Sequence, residues 1–197
     1  MLPISPKRCA SWPRRAPGSS PARSWTSTAV TVSDRAADIH AIRDVVALYC
    51  RGIDRLDFDL VRQAYHDDGI DHHTGFDGNV DEYLSWVTKS LEYLSGTMHF
   101  IGNHHVDFVG QDTAISETYV MATHWGRPGS GPRANFTTGA RYVDLMERRA
   151  GRWAIAERWA VREWTRPDAF IAPEQPGPRG TRDADDPLSV LMKRFGL

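Results

Sequence analysis

The residues best suited to chemistry in this sequence are a tyrosine, an aspartate, a histidine and an arginine that lie far apart along the chain. Tyr49 and Asp54 fall within one predicted helix, His99 lies near the start of a predicted strand, and Arg158 lies in the last, tryptophan-rich strand. A carboxylate that orients an imidazole, with a phenol and a guanidinium nearby, suits the removal of a proton next to a carbonyl group. No other grouping in the sequence combines a base, a residue that orients it and donors for an oxyanion. These four residues are therefore the candidate catalytic residues.

Helices followed by strands are predicted to position these residues. Apolar residues at three- and four-residue steps predict a first helix over 34–56, and similar patterns predict two shorter helices over 57–66 and 79–94. Residues 67–74 are expected to form a short strand or a turn. Four long strands are then predicted, over 97–109, 113–125, 135–148 and 153–166. This order predicts an α+β domain in which three N-terminal helices pack on a strongly curved antiparallel sheet.

The chain has 197 residues, which is enough for one domain with a sizeable core. Residues 1–32 are rich in Ser, Pro and Arg and lack apolar periodicity, so they are predicted to be a disordered leader. This composition also fits an organelle transit peptide, but the absence of an amphipathic pattern favours an extension outside the fold. Residues 33–166 form the predicted domain. Residues 167–197 form a tail rich in Pro and Gly, with a short helix predicted over 188–195.

Charge and composition argue against nucleic acid and membrane partners. The chain carries a formal charge of −1, of which residues 1–33 contribute +5, so residues 34–197 carry −6. An acidic folded part lacks the basic surface that phosphate binding requires. The apolar runs are far too short to cross a bilayer. The two cysteines, Cys9 and Cys50, lie outside and inside the predicted domain, so no disulfide framework is expected and a reducing, cytoplasmic compartment is the default.

The candidate residues belong to a longer series of motifs along the chain. The motifs are Tyr49-x4-Asp54 with Asp57-Phe58-Asp59, Tyr65-His66-Asp67-Asp68, Thr97-Met98-His99 with Asn103, Glu117-Thr118-Tyr119, and Gly151-Arg152-Trp153 leading to Arg158. In this order the chain resembles, over residues 34–166, the SnoaL-like branch of the nuclear transport factor 2-like superfamily. The resemblance implies a cone in which three helices close against a curved sheet and leave a deep pocket. Similar members include scytalone dehydratase, bile-acid dehydratase, hexachlorocyclohexane dehydrochlorinase, ketosteroid isomerase, polyketide cyclases and the small subunits of ring-hydroxylating dioxygenases.

The resemblance also implies roles for individual residues. In the members that catalyse eliminations, a histidine on the strand after the third helix is the base, and an aspartate late in the first helix orients it. These positions correspond to His99 and Asp54 here. Tyr49 matches a tyrosine of several dehydratases, Arg158 matches a pocket arginine of the dehydrochlorinase, and Asn103 falls near a position that is polar in several members. The aspartate base of ketosteroid isomerase has no clear match, which places isomerisation below elimination.

Each of these residues also has a simpler structural interpretation. Asp54 could be a surface residue at a helix end, and Arg158 could form an ion pair on the sheet. His99 and Tyr49 could both be ordinary core residues. The aromatic residues are likewise either core or the lining of an apolar pocket for a ring-shaped ligand, and the candidates for such a lining are Trp86, Phe100, Trp125, Phe136 and Trp164.

Histidine is plentiful, with adjacent pairs at positions 72–73 and 104–105. Adjacent residues on a strand face opposite ways, so each pair can offer only one ring to a common centre. The residues from which a metal site is conceivable are His66, Asp71, His73 and His105. No helical spacing of histidine and carboxylate residues supports such a site, and no glycine-rich phosphate loop precedes a helix. Neither a metal nor another cofactor is therefore expected.

Two hypotheses from different classes follow for the function. In the first, the chain is a cofactor-independent lyase of the dehydratase type. His99 removes a proton α to a carbonyl in a small hydrophobic or cyclic substrate, while Asp54 holds the tautomer. Tyr49 and Arg158 would hold the developing enolate oxygen or protonate the departing hydroxyl. The same site could instead serve an isomerase or a polyketide cyclase. In the second hypothesis, the protein binds a ligand without catalysis, as in a dioxygenase small subunit. The resemblance further implies a homodimer or homotrimer.

Overall fold

The computed structural model describes residues 32–127, 130, 134–168 and 180–196. Nearly all of the predicted leader, 1–32, and much of the predicted tail, 167–197, lie outside the described residues. The described part contains four helices and six strands. The helices are α1 (Val32–Arg55), α2 (Phe58–Ala64), α3 (Val80–Leu91) and α4 (Pro187–Phe195). The strands are β1 (Tyr65–His73), β2 (Phe76–Asn79), β3 (Leu94–Phe108), β4 (Thr113–Gly126), β5 (Phe136–Arg149) and β6 (Arg152–Pro167).

Helix α1 buries an apolar stripe against the sheet. Ile42, Val46 and Ile53 recur at helical spacing and are almost fully buried. Helix α3 begins at a capping box, in which the Asn79 side chain accepts hydrogen bonds from the first turn and Glu82 accepts one from the Asn79 backbone. These two helices bring residues from the first half of the chain to the concave face of the sheet.

The six strands form one sheet in the order β2-β1-β6-β5-β4-β3. The four long strands, β3 to β6, pair antiparallel with their sequence neighbours, as the hairpin pattern predicts. Irregular pairing between Ile101 and His104 of β3, and at Gly139 of β5, bends these strands, so the sheet curves without closing. The predicted α+β fold, with helices packed on a strongly curved sheet, is confirmed.

The edge of the sheet formed by β1 and β2 departs from the prediction. The sequence predicts an antiparallel sheet without β2, whereas β1 pairs parallel with β6 and antiparallel with β2. The return from β1 to β2 passes through Gly75, whose φ of +88° favours glycine. Strands so far apart in the chain are paired by the packing of the whole domain, which local periodicity does not encode.

The C-terminal helix α4 packs beside the end of α1. Asp186 caps α4 by accepting a hydrogen bond from the Leu188 backbone, and it lies 3.6 Å from Arg55. Arg51 Nη2 donates to Sδ of Met192 over 2.8 Å. Helix α4 begins one residue before the predicted range of 188–195. None of the described helices is long and apolar enough to cross a membrane.

Candidate active site

Asp54 and His99 are brought together by the last turn of α1 and the start of β3. His99 Nδ1 lies 2.7 Å from Asp54 Oδ1, and the His99 backbone N–H donates to Asp54 Oδ2 over 2.9 Å. Thr97 Oγ1 donates a third hydrogen bond to Asp54 Oδ1 over 3.0 Å. Both side chains are largely buried, with 7% of His99 and 15% of Asp54 exposed. Residues 45 positions apart meet here because α1 packs along β3.

The surroundings of Asp54 keep its carboxylate ionised. Burial by itself raises the pKa of Asp54, but the hydrogen bonds from His99 and Thr97 outweigh burial and bring the pKa below its usual value. When a carboxylate accepts a hydrogen bond from Nδ1–H of a neutral imidazole, the lone pair lies on Nε2. In that tautomer, the ring nitrogen available to a ligand is the unprotonated one.

A cavity of about 280 Å³ lies between α1, α3 and the concave face of the sheet. A cavity of roughly 150 Å³ holds benzene, so this one has room for a compound of one or two rings. Its wall is mostly apolar with a few polar groups, as is usual for small-molecule sites. The aromatic part of the lining includes Tyr49, Tyr83, Trp86, His99, Phe136 and Tyr142.

Three buried tyrosines line this cavity. Tyr49 on α1 and Tyr83 on α3 contact each other through their hydroxyls. Tyr142 packs edge-on against Tyr49, with ring centroids 5.6 Å apart. Burial raises the pKa of all three phenols above the ordinary value for tyrosine. The phenols therefore stay protonated at neutral pH and can act as hydrogen-bond donors.

The cavity wall also contains His124 and Arg162, which were not among the residues predicted from the sequence. His124 on β4 faces His99 edge-on, with ring centroids 6.1 Å apart, and stacks on Phe136 at 4.4 Å. Burial, with the nearby His99 as a second cause, lowers the pKa of His124 to about 4, so its ring is neutral at neutral pH. Arg162 on β6 reaches the cavity wall and has no ion-pair partner among the described residues. Strand alternation could have identified Arg162, because it lies four residues after Arg158 on the same face.

A match along the sequence decides the family. A model of the SnoaL-like domain matches residues 34–159, which is more than half of the chain. The chain belongs to the SnoaL-like family. No curated protein matches it.

Solved structures share the fold of this SnoaL-like domain. The hexachlorocyclohexane dehydrochlorinase LinA-type3 from Novosphingobium barchaimii is 21% identical with a TM-score of 0.65, and the alignment covers 74% of this chain and 100% of that one. A scytalone dehydratase-like protein from Novosphingobium aromaticivorans is 19% identical with a TM-score of 0.62, over 76% and 99% of the two chains. A protein from Kribbella flavida is 23% identical with a TM-score of 0.62, over 68% and 95%. At these identities the similarity shows a common fold.

Arg158 lies beneath the cavity of the SnoaL-like domain rather than in its wall. Its guanidinium donates two hydrogen bonds to Asp144, at 2.7 and 2.8 Å, and both side chains are fully buried. The central carbon of the guanidinium lies 4.1 Å from the ring centroids of both Tyr49 and Tyr142. The expectation that Arg158 points into the cavity is therefore corrected, because two tyrosines of the cavity wall cover it.

The aromatic residues predicted to line a pocket lie in three places: on α3, on the concave face of the sheet and on its outer face. Trp86 and Phe136 are part of the cavity wall. Phe100 follows His99 on β3 and faces the opposite side, where it is 67% exposed. Asn103 and Trp164, the latter also predicted to line the pocket, lie beside Phe100 in a groove on that outer face. The assignment of Phe100 and Asn103 to the pocket is wrong, because the pleat turns Phe100 away from it and the irregular pairing after Ile101 interrupts the alternation before Asn103.

Trp125 is also outside the cavity lining of the SnoaL-like domain. It follows His124 on β4, and its ring packs closely over Gly96 of β3, where a Cβ would lie 2.0 Å from the indole. The placement of Trp125 in the pocket is thus corrected for the same reason, since neighbouring residues of a strand face opposite ways.

Cys50 lies next to Tyr49 on α1 as a buried free thiol. Burial raises the pKa of the Cys50 thiol to about 12, so it is not a thiolate at neutral pH. Within the described ranges, no three His, Cys, Asp or Glu side chains are grouped so that they could hold a metal ion.

Proposed function

We propose that this SnoaL-like protein is a cofactor-independent lyase that removes a proton α to a carbonyl and expels a leaving group from the adjacent carbon. The observation that carries the proposal is the 2.7 Å hydrogen bond between His99 Nδ1 and Asp54 Oδ1, with His99 in the cavity wall. A histidine oriented by a carboxylate is a recurrent general base. The names of two structural relatives, a dehydrochlorinase and a scytalone dehydratase-like protein, support elimination as the reaction class.

Proton removal is assigned to Nε2 of His99. With Nδ1–H directed at Asp54, Nε2 carries a lone pair and accepts the α-proton of a carbonyl compound bound in the cavity. The imidazolium that forms is stabilised by the carboxylate of Asp54, which itself stays ionised. Thr97 and the His99 backbone N–H hold that carboxylate in place, so little reorganisation is needed when charge develops on the ring.

Donors on the cavity wall stabilise the developing enolate oxygen. Tyr49 and Tyr83 share one hydrogen bond, so one of their two hydroxyl protons is free to donate, and Arg162 presents a guanidinium that no described carboxylate neutralises. In an apolar cavity a buried phenol stabilises charge more strongly than it does in water, whereas Arg162 is exposed to solvent. A volume of about 280 Å³ and an aromatic wall suit a small hydrophobic, cyclic carbonyl compound as substrate.

β-(para-Nitrophenoxy)cyclohexanone tests the proposal, because elimination releases cyclohexenone and coloured para-nitrophenolate. We expect the wild-type protein to accelerate this release over buffer, and His99→Gln to lower kcat/KM about 1,000-fold. Asp54→Asn should lower kcat/KM about 100-fold, because an amide cannot stabilise the imidazolium. His105→Gln is the matched control, since His105 lies on the same strand with 74% of its side chain exposed and should keep wild-type activity.

Exchange of the α-protons of cyclohexanone in heavy water separates the proposal from its alternatives. This exchange, followed by NMR, reports proton abstraction without requiring a leaving group. Exchange without phenolate release would indicate an isomerase or a cyclase on the same site. Binding of cyclohexanone with neither reaction would contradict the lyase proposal and leave ligand binding as the function.

A further inference from the structure

A second histidine–aspartate pair lies in the wall of the same cavity. His73 and Asp71 are both on β1, and Nδ1 of His73 is hydrogen-bonded to Oδ1 of Asp71. The other carboxylate oxygen of Asp71 accepts a hydrogen bond of 2.5 Å from the hydroxyl of Tyr65. Asp71 is completely buried. Both oxygens of a fully buried carboxylate are thus occupied, one of them by the ring of His73.

The ring of His73 faces the cavity, whereas that of its neighbour does not. His73 stacks on Tyr83, with ring centroids 5.0 Å apart, and 19% of its side chain is exposed. No described residue hydrogen-bonds to Nε2 of His73, the nitrogen that points away from Asp71. His72 lies on the other face of β1 and stacks on Trp159 at 3.9 Å. Strand alternation therefore brings one imidazole of this adjacent pair to the cavity.

The burial of Asp71 needs a reason, because a carboxylate removed from water is costly unless it is paired. Arg158, the register partner of Asp71 on β6, is paired with Asp144. Asp71 is left with a phenol and an imidazole as its partners. The ring of His73 lines the same cavity as the ring of His99. This arrangement repeats the one between Asp54 and His99.

We propose that the His73–Asp71 pair is the general acid of the reaction and protonates the leaving oxygen. This inference rests on the proposed lyase function, and it adds the proton donor to the base formed by His99 and Asp54. Hydroxide is a poor leaving group, so the loss of water requires a donor, whereas a stable anion such as para-nitrophenolate leaves without one. An imidazole that is hydrogen-bonded to a carboxylate through Nδ1 donates a proton from Nε2 when it is in its imidazolium form.

The proposed reaction transfers one proton from the substrate to His99 and one proton from His73 to the substrate. Nε2 of His99 takes the α-proton, and the C–H electron pair forms the carbon–carbon double bond through the enolate. The bond from the β-carbon to the hydroxyl oxygen breaks, its electron pair stays on oxygen, and Nε2–H of His73 transfers a proton to that oxygen. The products are an α,β-unsaturated ketone and water. Solvent removes the proton from His99 and returns one to His73.

Two probes that differ only in the leaving group test this acid. β-Hydroxycyclohexanone needs a proton donor and β-(para-nitrophenoxy)cyclohexanone does not, and both yield cyclohexenone, which is followed by its ultraviolet absorbance. We expect His73→Gln to lower kcat about 100-fold on the hydroxy ketone and by less than about threefold on the nitrophenoxy ketone. Asp71→Asn should show the same selectivity with a smaller loss, about tenfold. His99→Gln should lose activity on both probes.

His72→Gln is the matched control, because His72 is adjacent in sequence but faces away, and it should keep wild-type activity on both probes. If His73→Gln lowers kcat equally on the two probes, or on neither, the acid role of His73 is overturned. The lyase function is still upheld in that case if His99→Gln loses activity on both probes. If a thermal melt shows that His73→Gln is unfolded, the selectivity of Asp71→Asn decides. A wild-type protein that converts neither probe contradicts the lyase function, and the acid role falls with it.

Discussion

His99 and His124 face each other across a corner of the cavity in different electrostatic surroundings. His99 has a carboxylate at Nδ1, whereas His124 stacks on Phe136 and its buried Nδ1 has no partner among the described residues. Burial lowers the pKa of His124 to about 4, so the ring is neutral at pH 7. A neutral neighbour avoids charge repulsion when His99 becomes an imidazolium. Of these two rings, one is therefore placed to gain a proton and the other to stay neutral.

The depressed pKa of His124 predicts how the free energy of unfolding depends on pH. An unfolded histidine titrates near pH 6.5, so from pH 6.5 down to about 4 the unfolded chain binds more protons than the folded one. The free energy of unfolding should therefore fall as pH is lowered through this window, by on the order of 3 kcal/mol for His124. His124→Gln should lose correspondingly less stability over the same window, as measured by urea unfolding at its two ends.

His105→Gln serves as the control for this experiment, because its side chain is mostly exposed and its removal should leave the wild-type pH dependence in place. Parallel stability curves for the wild type and His124→Gln would show that burial does not hold His124 neutral.

At the scale of elements, the segment 180–196 stabilises the contact between α1 and β3 through hydrogen bonds from Arg182. Arg182 Nε donates to the backbone carbonyl of Asp54 over 3.3 Å, and Nη1 donates to that of Leu94 over 3.1 Å. Arg182 Nη2 donates to Thr97 Oγ1 over 3.3 Å, and this hydroxyl in turn donates to the Asp54 carboxylate. One guanidinium thus spans the two elements whose contact places Asp54 beside His99.

Arg182→Ala should disturb the Asp54–His99 pair without unfolding the protein. We expect kcat on the nitrophenoxy ketone to fall about tenfold, because a small displacement of a base lowers the rate steeply. The low-field proton NMR signal of His99 Nδ1–H should shift or broaden, which a uniform loss of stability would not cause. Arg194→Ala, at an exposed position in the last turn of α4, should change neither quantity. An unaltered signal together with an unaltered rate would show that Arg182 does not position the pair.

At the scale of the whole molecule, one buried ion pair joins α1 to the sheet. Arg158 of β6 is paired with Asp144 of β5, and its guanidinium lies between the rings of Tyr49 from α1 and Tyr142 from β5. Because both charges are out of water, removing one of them leaves the other buried without compensation. The ion pair therefore belongs to the packing that holds the cavity walls together.

Arg158→Met should lower the free energy of unfolding by about 3–5 kcal/mol, because Asp144 is left buried and unpaired. The kcat of the molecules that remain folded should fall far less than in His99→Gln. Urea unfolding and assays on the nitrophenoxy ketone measure the two effects. Arg141→Met is the matched control on the same sheet, since Arg141 pairs with carboxylates at the surface and its loss should cost far less stability than that of Arg158. Wild-type stability combined with lost activity in Arg158→Met would restore the catalytic role that the sequence predicts for Arg158.

The order and approximate bounds of the helices and long strands could be predicted from the sequence. The apolar spacing in α1 and α3 and the strand patterns of β3 to β6 depend on residues close together in the chain. They can therefore be recognised in the sequence without the structure. The order of the motifs also pointed to the SnoaL-like family. Strand alternation was even sufficient to exclude Phe100 from any cavity that contains His99. These features are determined by the sequence alone because each is encoded locally.

Only the tertiary structure decided which distant side chains meet. The parallel pairing of β1 with β6, the tyrosines that cover Arg158, and the approach of His73 to the cavity all depend on how the helices pack on a curved sheet. Periodicity constrains the face on which a residue lies, but not the strand that will lie beside it or the ring that will cover it. The sequence determined the fold and the residue types available for chemistry. Long-range packing decided that Arg158 is covered and that His73, His124 and Arg162 line the cavity, since those contacts arise only once the sheet has curved around α1 and α3.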